Sequence, residues 1–261
     1  MKLLATPKPF VGMIHLAPLV GSVAYERTGT KPILDAALRD LEALERGGVD
    51  AVLVENFGDT PFAKTAPVET VAMMTAVVLR LAEAARVPLG VNVLRNDGAA
   101  ALAIAAATGA SFVRVNVFAG VAFTDQGTIE GAARELLKLR HDLGAEVEIL
   151  ADVHVKHAAH LTTLEQAAVD VDRNRPDGLI VTGMGTGFHA TAADVEIVKR
   201  VSERPVFVGS GVTAVTAAEY RGADGFIVGT TLKQGGRVEA PVDVGRVRAV
   251  AAAIAALRTS R

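Results

Sequence analysis

The sequence predicts a single α/β domain, a (β/α)8 TIM barrel that spans residues 1–261. Three observations lead to this prediction. A short apolar run followed by a longer segment of helical composition occurs eight times along the chain. No shift of composition marks a linker or a second domain. The 261 residues, of which 50% are hydrophobic, are enough for one barrel of this kind. A doubly wound open sheet is the alternative.

Eight apolar runs are predicted to form the strands of the barrel. They are short and rich in Val, Ile and Leu, as strands buried on both faces of a parallel sheet are. The predicted strands are residues 11–15, 51–55, 89–93, 112–117, 148–155, 178–182, 206–209 and 225–228. The predicted helices are residues 32–46, 67–85, 98–108, 128–143, 164–172, 192–203, 214–220 and 244–257.

A weak internal repeat supports the same arrangement. Residues 47–54, 108–115 and 221–228 each contain a glycine, then small or acidic residues, then an apolar run. Glycine ends helices because it adopts the left-handed conformation without strain. Each copy is therefore interpreted as a helix end, a turn and a buried parallel strand.

Composition excludes several functional classes. The formal net charge is −2 and no run of Lys or Arg occurs, so no nucleic acid partner is expected. The chain has no cysteine, which excludes disulfides and thiolate metal sites and suits a cytoplasmic protein. Its apolar runs are too short for a membrane span or a signal peptide. A homo-oligomer is expected only because symmetric oligomers are common.

The segment 149–156 carries the densest group of ionisable residues. A strand has a side-chain period of two, so Asp152, His154 and Lys156 are predicted to share one face, while the other face is wholly apolar. Three roles are open to Lys156: a Schiff base with a carbonyl substrate, proton transfer or electrostatic stabilisation, and structural pairing with Asp152. His154 is either an acid–base group or a hydrogen-bonded core residue.

Polar residues concentrate at the carboxyl ends of the predicted strands, whereas the strand beginnings are apolar. In a (β/α)8 barrel this is the end that carries the ligand site. The predicted catalytic residues are Lys156, His154, Asp152, Glu55 and His15. The predicted ligand-binding residues are Asn92, Arg114, Asn116 and Thr182. Asparagine amides at such a site orient hydroxyl groups or stabilise an enolate oxygen.

A divalent metal is a possible cofactor of this site. The candidate ligands are His15, Glu55, Asp152 and His154, because imidazole and carboxylate suit zinc, manganese or magnesium. No local spacing of the H-x-x-x-H type enforces such a site.

Two glycine-rich turns follow the seventh and eighth predicted strands. Barrels often bind phosphate there through backbone N–H groups and a short helix N-terminus. The predicted phosphate-binding residues are Gly209, Ser210, Gly211, Gly229, Thr230 and Thr231, with Gly183 in the sixth loop. The alternative is a pair of tight turns with Thr213 as an ordinary helix cap. The sixth loop, residues 182–187, lacks the spacing and position of a dinucleotide fingerprint, so neither NAD nor flavin is expected.

Two loops are long for such a barrel, residues 16–31 and 118–127. Long loops at this rim commonly act as lids or binding surfaces. The second contains Phe118, Val121, Ala122 and Phe123, so it is interpreted as a cover for the ligand or a contact with a partner, with local packing as the alternative.

At these residues the chain resembles the BtpA/SgcQ family. The resemblance is carried by residues 12–19, 55–62, 90–97, 114–117, 151–157, 181–183 and 208–213, with Val20 as a small departure where a second proline is expected. It implies a phosphate-binding TIM barrel. It also implies links to photosystem I accumulation in one cyanobacterial branch and to carbohydrate operons in others. No defined reaction comes with it.

Two functional hypotheses follow from the residues and the resemblance together. The first is an enzyme that acts on a small phosphorylated sugar or carbonyl metabolite by aldolase, isomerase or lyase chemistry. The second is a non-catalytic assembly or stability factor that resembles the photosystem I branch. The ionisable groups predicted at the barrel mouth favour the enzyme, because burying such groups costs free energy unless they are paired.

Overall fold

A computed structural model describes residues 2–183 and 189–259. Within these ranges eight parallel strands close a barrel, which confirms the predicted fold and excludes the open sheet. The strands are β1 (Phe10–His15), β2 (Ala51–Glu55), β3 (Leu89–Asn92), β4 (Phe112–Val115), β5 (Val121–Thr124), β6 (Gly127–Glu130), β7 (Glu148–Asp152), β8 (Ala158–Ala159), β9 (Gly178–Val181), β10 (Val206–Val208) and β11 (Gly225–Val228). The barrel is formed by β1, β2, β3, β4, β7, β9, β10 and β11 in that order around the ring.

The helices pack around the barrel. They are α1 (Thr30–Gly47), α2 (Val68–Ala84), α3 (Gly98–Thr108), α4 (Ala133–Asp142), α5 (Leu164–Arg173), α6 (Ala192–Val201) and α7 (Val244–Thr259). The helix predicted at residues 214–220 is instead a short 3-10 helix, Ala217–Tyr220. The hydroxyl of Thr216 donates to Gly211 O, and the hydroxyl of Thr213 accepts the N–H of Thr216. These local bonds compete with an α-helix.

The helix predicted at residues 128–143 was also wrong at its start. Residues Gly127–Glu130 form β6, which pairs with β5 as an antiparallel hairpin, and β8 adds a third strand. Ile129 is buried against Val117, Ala122 and Val155, so tertiary contacts favour the strand. The hairpin begins within residues 118–127, the loop interpreted as a cover for the ligand or a contact with a partner.

Aspartates just before three barrel strands hold neighbouring strands in register. Asp50, Asp177 and Asp224 precede β2, β9 and β11. Their carboxylates accept the backbone N–H of Phe10 at 2.8 Å, Ile149 at 2.7 Å and Val206 at 2.9 Å. Each of these donating residues lies at the start of the adjacent strand. Asp50 and Asp224 belong to the internal repeat, in residues 47–54 and 221–228. Their hydrogen bonds explain why an acidic residue precedes the apolar run there.

Alternation along the strands separates two apolar cores. Leu150 lies inside the barrel with Phe112 and Phe207, whereas Ile149 and Ala151 face the helices. This confirms the predicted inward face of β7 as far as Asp152. Leu3, from the 3-10 helix that precedes β1, packs into the same interior core.

Strands β4 and β7 end earlier than predicted. The strand predicted to end at residue 155 ends at Asp152, and the one predicted to end at residue 117 ends at Val115. Beyond Asp152 the chain joins the hairpin: Val155 packs in the cluster with Ile129, and β8 pairs with β5. His154 and Lys156 therefore do not lie on a barrel strand. No helix within the described ranges is long and apolar enough to cross a membrane.

Candidate functional site at the carboxyl ends of the strands

The barrel mouth has two parts, which we call the polar half and the glycine half. The polar half consists of His15, Glu55, Asn92, Arg114 and Asp152 on β1, β2, β3, β4 and β7, with Asn116 just beyond β4. The glycine half consists of the turns after β10 and β11. Cross-strand pairing places His15 opposite Glu55 and Glu55 opposite Asn92, so these three side chains form a row on adjacent strands.

A buried ion pair is the centre of the polar half. Arg114 donates to both carboxylate oxygens of Asp152, from Nε at 3.0 Å and from Nη2 at 2.9 Å. Asn116 Nδ2 donates to the same carboxylate at 3.0 Å. Asn92 Nδ2 in turn donates to Asn116 Oδ1 at 3.0 Å. Asp152 is thus paired with Arg114, and the alternative in which Lys156 is its structural partner is not what the structure shows.

Glu55 is buried beside this network, with 5% of its surface exposed. Its carboxyl group makes no hydrogen bond within the described ranges, and its Oε1 lies 4.0 Å from His15 Nε2. Burial raises the pKa of Glu55 to about 7, with the Asp152 carboxylate raising it further and Arg114 opposing the rise. Near neutral pH this carboxyl group is able both to accept and to release a proton.

His15 lies between the two halves of the mouth. Burial lowers its pKa to about 3, and the positive charges of Lys233 and Arg114 lower it as well, so its imidazole is neutral. Its ring contacts the ring of Phe57 edge to face, with centroids 5.1 Å apart. A Cβ on Gly229 would lie 2.9 Å from His15 Cε1, so only glycine lets the turn after β11 approach the imidazole this closely.

His154 and Lys156 lie on the segment that follows β7. The His154 ring stacks on His160 with centroids 4.1 Å apart, and Thr182 Oγ1 donates to His154 O at 2.6 Å. Burial lowers the pKa of His154 to about 4, with a smaller contribution from His160. The ring is packed on His160, but its buried Nε2 makes no hydrogen bond with the described residues, so His154 is not the hydrogen-bonded core residue of the alternative, and its acid–base role stays a prediction. The Thr182 hydroxyl bonds to backbone here rather than to a group in the mouth.

Lys156 remains in the electrostatic field of the polar half. Burial lowers its pKa, and the positive charge of Arg114 lowers it further, while the carboxylates of Asp152 and Glu55 oppose this. Its ammonium group forms no hydrogen bond or ion pair with the described residues.

Arg95 belongs to the polar half although it was not among the predicted site residues. It follows β3, it is 8% exposed, and its Nη2 donates to Lys156 O at 2.6 Å. The sequence carries a signal for it, because Arg95 opens a polar run directly after the third strand. The sequence placed this run, residues 95–97, at the mouth, but nothing in it singled out Arg95 as the residue whose side chain joins the site.

The four candidate metal ligands do not come together. Among the described residues no group of three or more His, Asp and Glu side chains has the spacing of a metal site. The Asp152 oxygens are occupied by Arg114 and Asn116, and His154 is stacked on His160. A metal cofactor stays a prediction of the sequence.

The glycine half presents backbone rather than side chains. Within the described ranges the N–H groups of Ser210, Gly211, Thr230 and Thr231 donate to no protein acceptor. The turns are followed by the 3-10 helices Ala217–Tyr220 and Thr230–Leu232, not by the expected helix N-terminus. A Cβ on Gly209 would lie 3.0 Å from Thr182 Cγ2, which places this turn beside the end of β9. Gly183, two residues past the end of β9, is buried. Residues 184–187 of the sixth loop lie outside the described residues.

The hairpin packs against the segment that follows β7. Phe118 is fully buried in the main core. Ala122, on β5, is buried in the small cluster with Ile129 and Val155. Val121 and Phe123 are 44% and 42% exposed. Local packing therefore accounts for Phe118 and Ala122, whereas the outward face of β5 is open.

Fold and geometry together define a TIM-barrel protein with a candidate ligand site at the carboxyl ends of its strands. The chain belongs to the BtpA family, whose model matches residues 6–256. The Photosystem I biogenesis protein BtpA of Synechocystis is 42% identical over 256 residues, which cover 96% of this chain and 89% of that protein. An uncharacterized protein of Thermococcus kodakarensis is 48% identical and covers 97% of each chain.

Solved structures with little sequence similarity share the fold. Thiamine phosphate pyrophosphorylase from Pyrococcus furiosus aligns with a TM-score of 0.60 at 14% identity, covering 98% of this chain and 99% of that chain. Tryptophan synthase alpha chain from Legionella pneumophila has the same TM-score and identity, with 97% and 94% covered. N-acetylmannosamine-6-phosphate 2-epimerase from Clostridium perfringens has a TM-score of 0.56 at 13% identity, with 88% and 90% covered.

Proposed function

We propose that this protein is an enzyme that acts on a small phosphorylated carbonyl metabolite, such as a sugar phosphate. The phosphate binds at the anion seat, which we define as Gly209, Ser210, Gly211, Gly229, Thr230 and Thr231. The reacting carbons lie over the polar half. The reaction is a proton transfer beside a carbonyl group, the step on which isomerase and many lyase reactions depend.

The burial of the Glu55 carboxyl group without a hydrogen-bond partner among the described residues is the observation that carries the proposal. A carboxyl group that is buried without a hydrogen-bond partner destabilises the fold, so a functional role explains its presence better than a structural one. Its pKa of about 7 matches that of a general acid–base group at neutral pH. The buried pair of Arg114 and Asp152 keeps a fixed charge arrangement beside it.

The proposed chemistry assigns one task to each group. The Glu55 carboxylate removes a proton from the carbon next to the substrate carbonyl, and the electron pair moves to the carbonyl oxygen to form an enolate. The Lys156 ammonium stabilises that oxygen by its positive charge. Neutral His15 orients the substrate between Glu55 and the turn at Gly229. The proton of the hydroxyl group on the deprotonated carbon then passes to the enolate oxygen, and Glu55 returns its own proton to the former carbonyl carbon, so that the carbonyl group has moved by one carbon and the isomerisation is complete.

Two features support a phosphorylated substrate. Unpaired backbone N–H groups in glycine-rich turns are suited to binding an anion. Two structurally similar enzymes, the thiamine phosphate pyrophosphorylase and the N-acetylmannosamine-6-phosphate 2-epimerase, are named after phosphorylated compounds, which supports a phosphorylated ligand class.

The anion seat is tested by calorimetric titration with inorganic phosphate. Thr230→Glu puts a negative charge at the seat, and Thr230→Gln is the matched control of the same size. We expect the Glu variant to bind phosphate roughly tenfold more weakly or worse, and the Gln variant to stay near wild type. Equal affinities in both variants would remove the seat from the proposal.

Proton transfer is tested by exchange in heavy water. Aldose and ketose phosphates are incubated with the protein, and NMR follows deuterium entering the carbon next to the carbonyl. Glu55→Gln should abolish the exchange, whereas the exposed control Glu135→Gln should leave it unchanged. Exchange that survives in Glu55→Gln would assign the base elsewhere.

A second candidate function is an assembly or stability factor, favoured by the name of the Synechocystis relative and by the exposed Val121 and Phe123. In a cyanobacterial strain that lacks that relative, Phe123→Ser should then abolish rescue of photosystem I accumulation while Glu55→Gln should not. The reverse pattern supports the enzyme. Phe118 is unsuited to this test because it is fully buried.

A further inference from the structure

Arg95 is a buried cation that forms no ion pair with the described residues. Only 8% of its surface is exposed, and the one hydrogen bond that its side chain makes within these residues goes to the backbone oxygen of Lys156. A guanidinium group has five N–H donors, and it binds carboxylates and phosphates through two parallel hydrogen bonds. Burial lowers the pKa of Arg95, and the carboxylates of Asp152 and Asp125 oppose this through space.

The carboxylates near Arg95 are engaged elsewhere or too far away to fill its donors. The Asp152 carboxylate is held by Arg114 and Asn116. Asp125 and Glu55 act on Arg95 only through space and form no ion pair with it among the described residues. A buried guanidinium group with unfilled donors is costly, so Arg95 implies an anion that the described residues do not supply.

Arg95 is separate from the anion seat. It follows β3, whereas the anion seat follows β10 and β11. In the ring these positions are on different sides, with the row of His15, Glu55 and Asn92 on one path between them. A phosphate bound at the glycine turns therefore leaves the Arg95 guanidinium group without an anion.

We propose that Arg95 binds a second anionic group of the substrate, and that this group is a carboxylate. The substrate class is then a phosphorylated acid with its phosphate at one end and its carboxylate at the other. This inference rests on the proposed function, because it assumes that the phosphate occupies the anion seat.

Matched ligand pairs test the second subsite. 6-Phosphogluconate and glucitol 6-phosphate differ by a carboxylate in place of a hydroxymethyl group, and 3-phosphoglycerate and glycerol 3-phosphate differ in the same way on a shorter chain. We expect the acid of at least one pair to bind about tenfold or more tightly than its alcohol, as a charge-assisted bidentate contact predicts. Equal binding within both pairs overturns the proposal.

Variants assign the preference to Arg95. Arg95→Met keeps much of the side-chain length and removes the charge, so the acid should lose its advantage while the alcohol and inorganic phosphate bind as before. Arg46→Met, on the exposed face of α1, makes the same change in net charge and should keep the preference. A preference that survives Arg95→Met overturns the assignment. If Arg95→Met does not fold, Arg95→Lys is used, and it should reduce the preference because lysine lacks the paired donors.

The controls separate this inference from the proposed function. Phosphate binding that is lost in Thr230→Glu, together with equal binding of acids and alcohols, leaves the anion seat in place and removes the second subsite. Failure of inorganic phosphate and of all four esters to bind removes both.

Discussion

The two halves of the barrel mouth are built on different principles. The polar half presents side chains that are buried and charged, with Arg114 and Asp152 at its centre. The glycine half offers backbone N–H groups on turns that only small residues allow, as Gly229 against His15 shows. One half depends on electrostatic balance among several strands, and the other on local backbone geometry. Changes in charge should therefore affect the first half most, and changes in steric volume the second.

The largest effect is expected from breaking the central ion pair. Arg114→Met leaves the carboxylate of Asp152, whose side chain is 0% exposed, with Asn116 as its remaining partner. We expect the free energy of unfolding to fall by about 3–5 kcal/mol, because an unpaired buried charge is costly. Urea denaturation measures it. The double variant Arg114→Met/Asp152→Leu should recover much of the loss, and equal losses in both variants would contradict this account.

A pH-dependent effect is expected at Glu55. The folded state raises the pKa of Glu55 from 4.5 to about 7, so it binds this proton more tightly than the unfolded chain does. Ionisation of Glu55 therefore lowers the free energy of unfolding. This loss develops as the pH rises from 4.5 to above about 7.

Glu55→Gln removes that loss. Relative to wild type, the variant should gain on the order of 3 kcal/mol of unfolding free energy between about pH 4 and about pH 8. Denaturation at both pH values measures the change, and the other titrating groups cancel because both proteins share them. A difference that does not vary with pH would mean that Glu55 is ionised in the folded protein at neutral pH.

A steric effect is expected in the glycine half. Gly211 has φ +80°, and a Cβ there would lie 2.5 Å from His189 Cβ. Gly109 has φ +76° with nothing within 4 Å of its Cβ position, so it isolates the backbone cost. We expect about 1 kcal/mol for Gly109→Ala and about 2 kcal/mol for Gly211→Ala in thermal or urea unfolding. Equal costs would show that the turn relaxes freely around a side chain.

The smallest expected effect is an absence of titration at His15. Burial and the nearby cations lower its pKa to about 3. Its ring nitrogen NMR shifts should therefore stay constant from about pH 8 to about pH 5, whereas those of a histidine in a short model peptide change across this range. Titration of His15 within that range would show that the polar half is open to water.

Some features were predictable because their signals are local. The two-residue alternation of residues 149–152 identifies the inward face of β7, and glycines before apolar runs indicate where helices end and strands begin. Polar residues at the strand ends then locate the mouth, since all parallel strands of a barrel point the same way. The predictions failed where partners distant in sequence compete with local pattern. The antiparallel pairing of β5 with β6 replaced the predicted start of a helix, and the hairpin ended the β7 alternation at Asp152.

By itself the sequence determined the barrel, the end that carries the candidate site and most of the residues in it, because hydrophobic periodicity and chain direction are properties of neighbouring residues. Only the tertiary structure established that Arg114 pairs with Asp152, that Lys156 is left without that partner and that Arg95 joins the polar half. The pKa of Glu55 also depended on it. Ion pairing and desolvation vary with the distances between side chains on different strands and with their depth from water, and neither quantity is encoded in spacing along the chain.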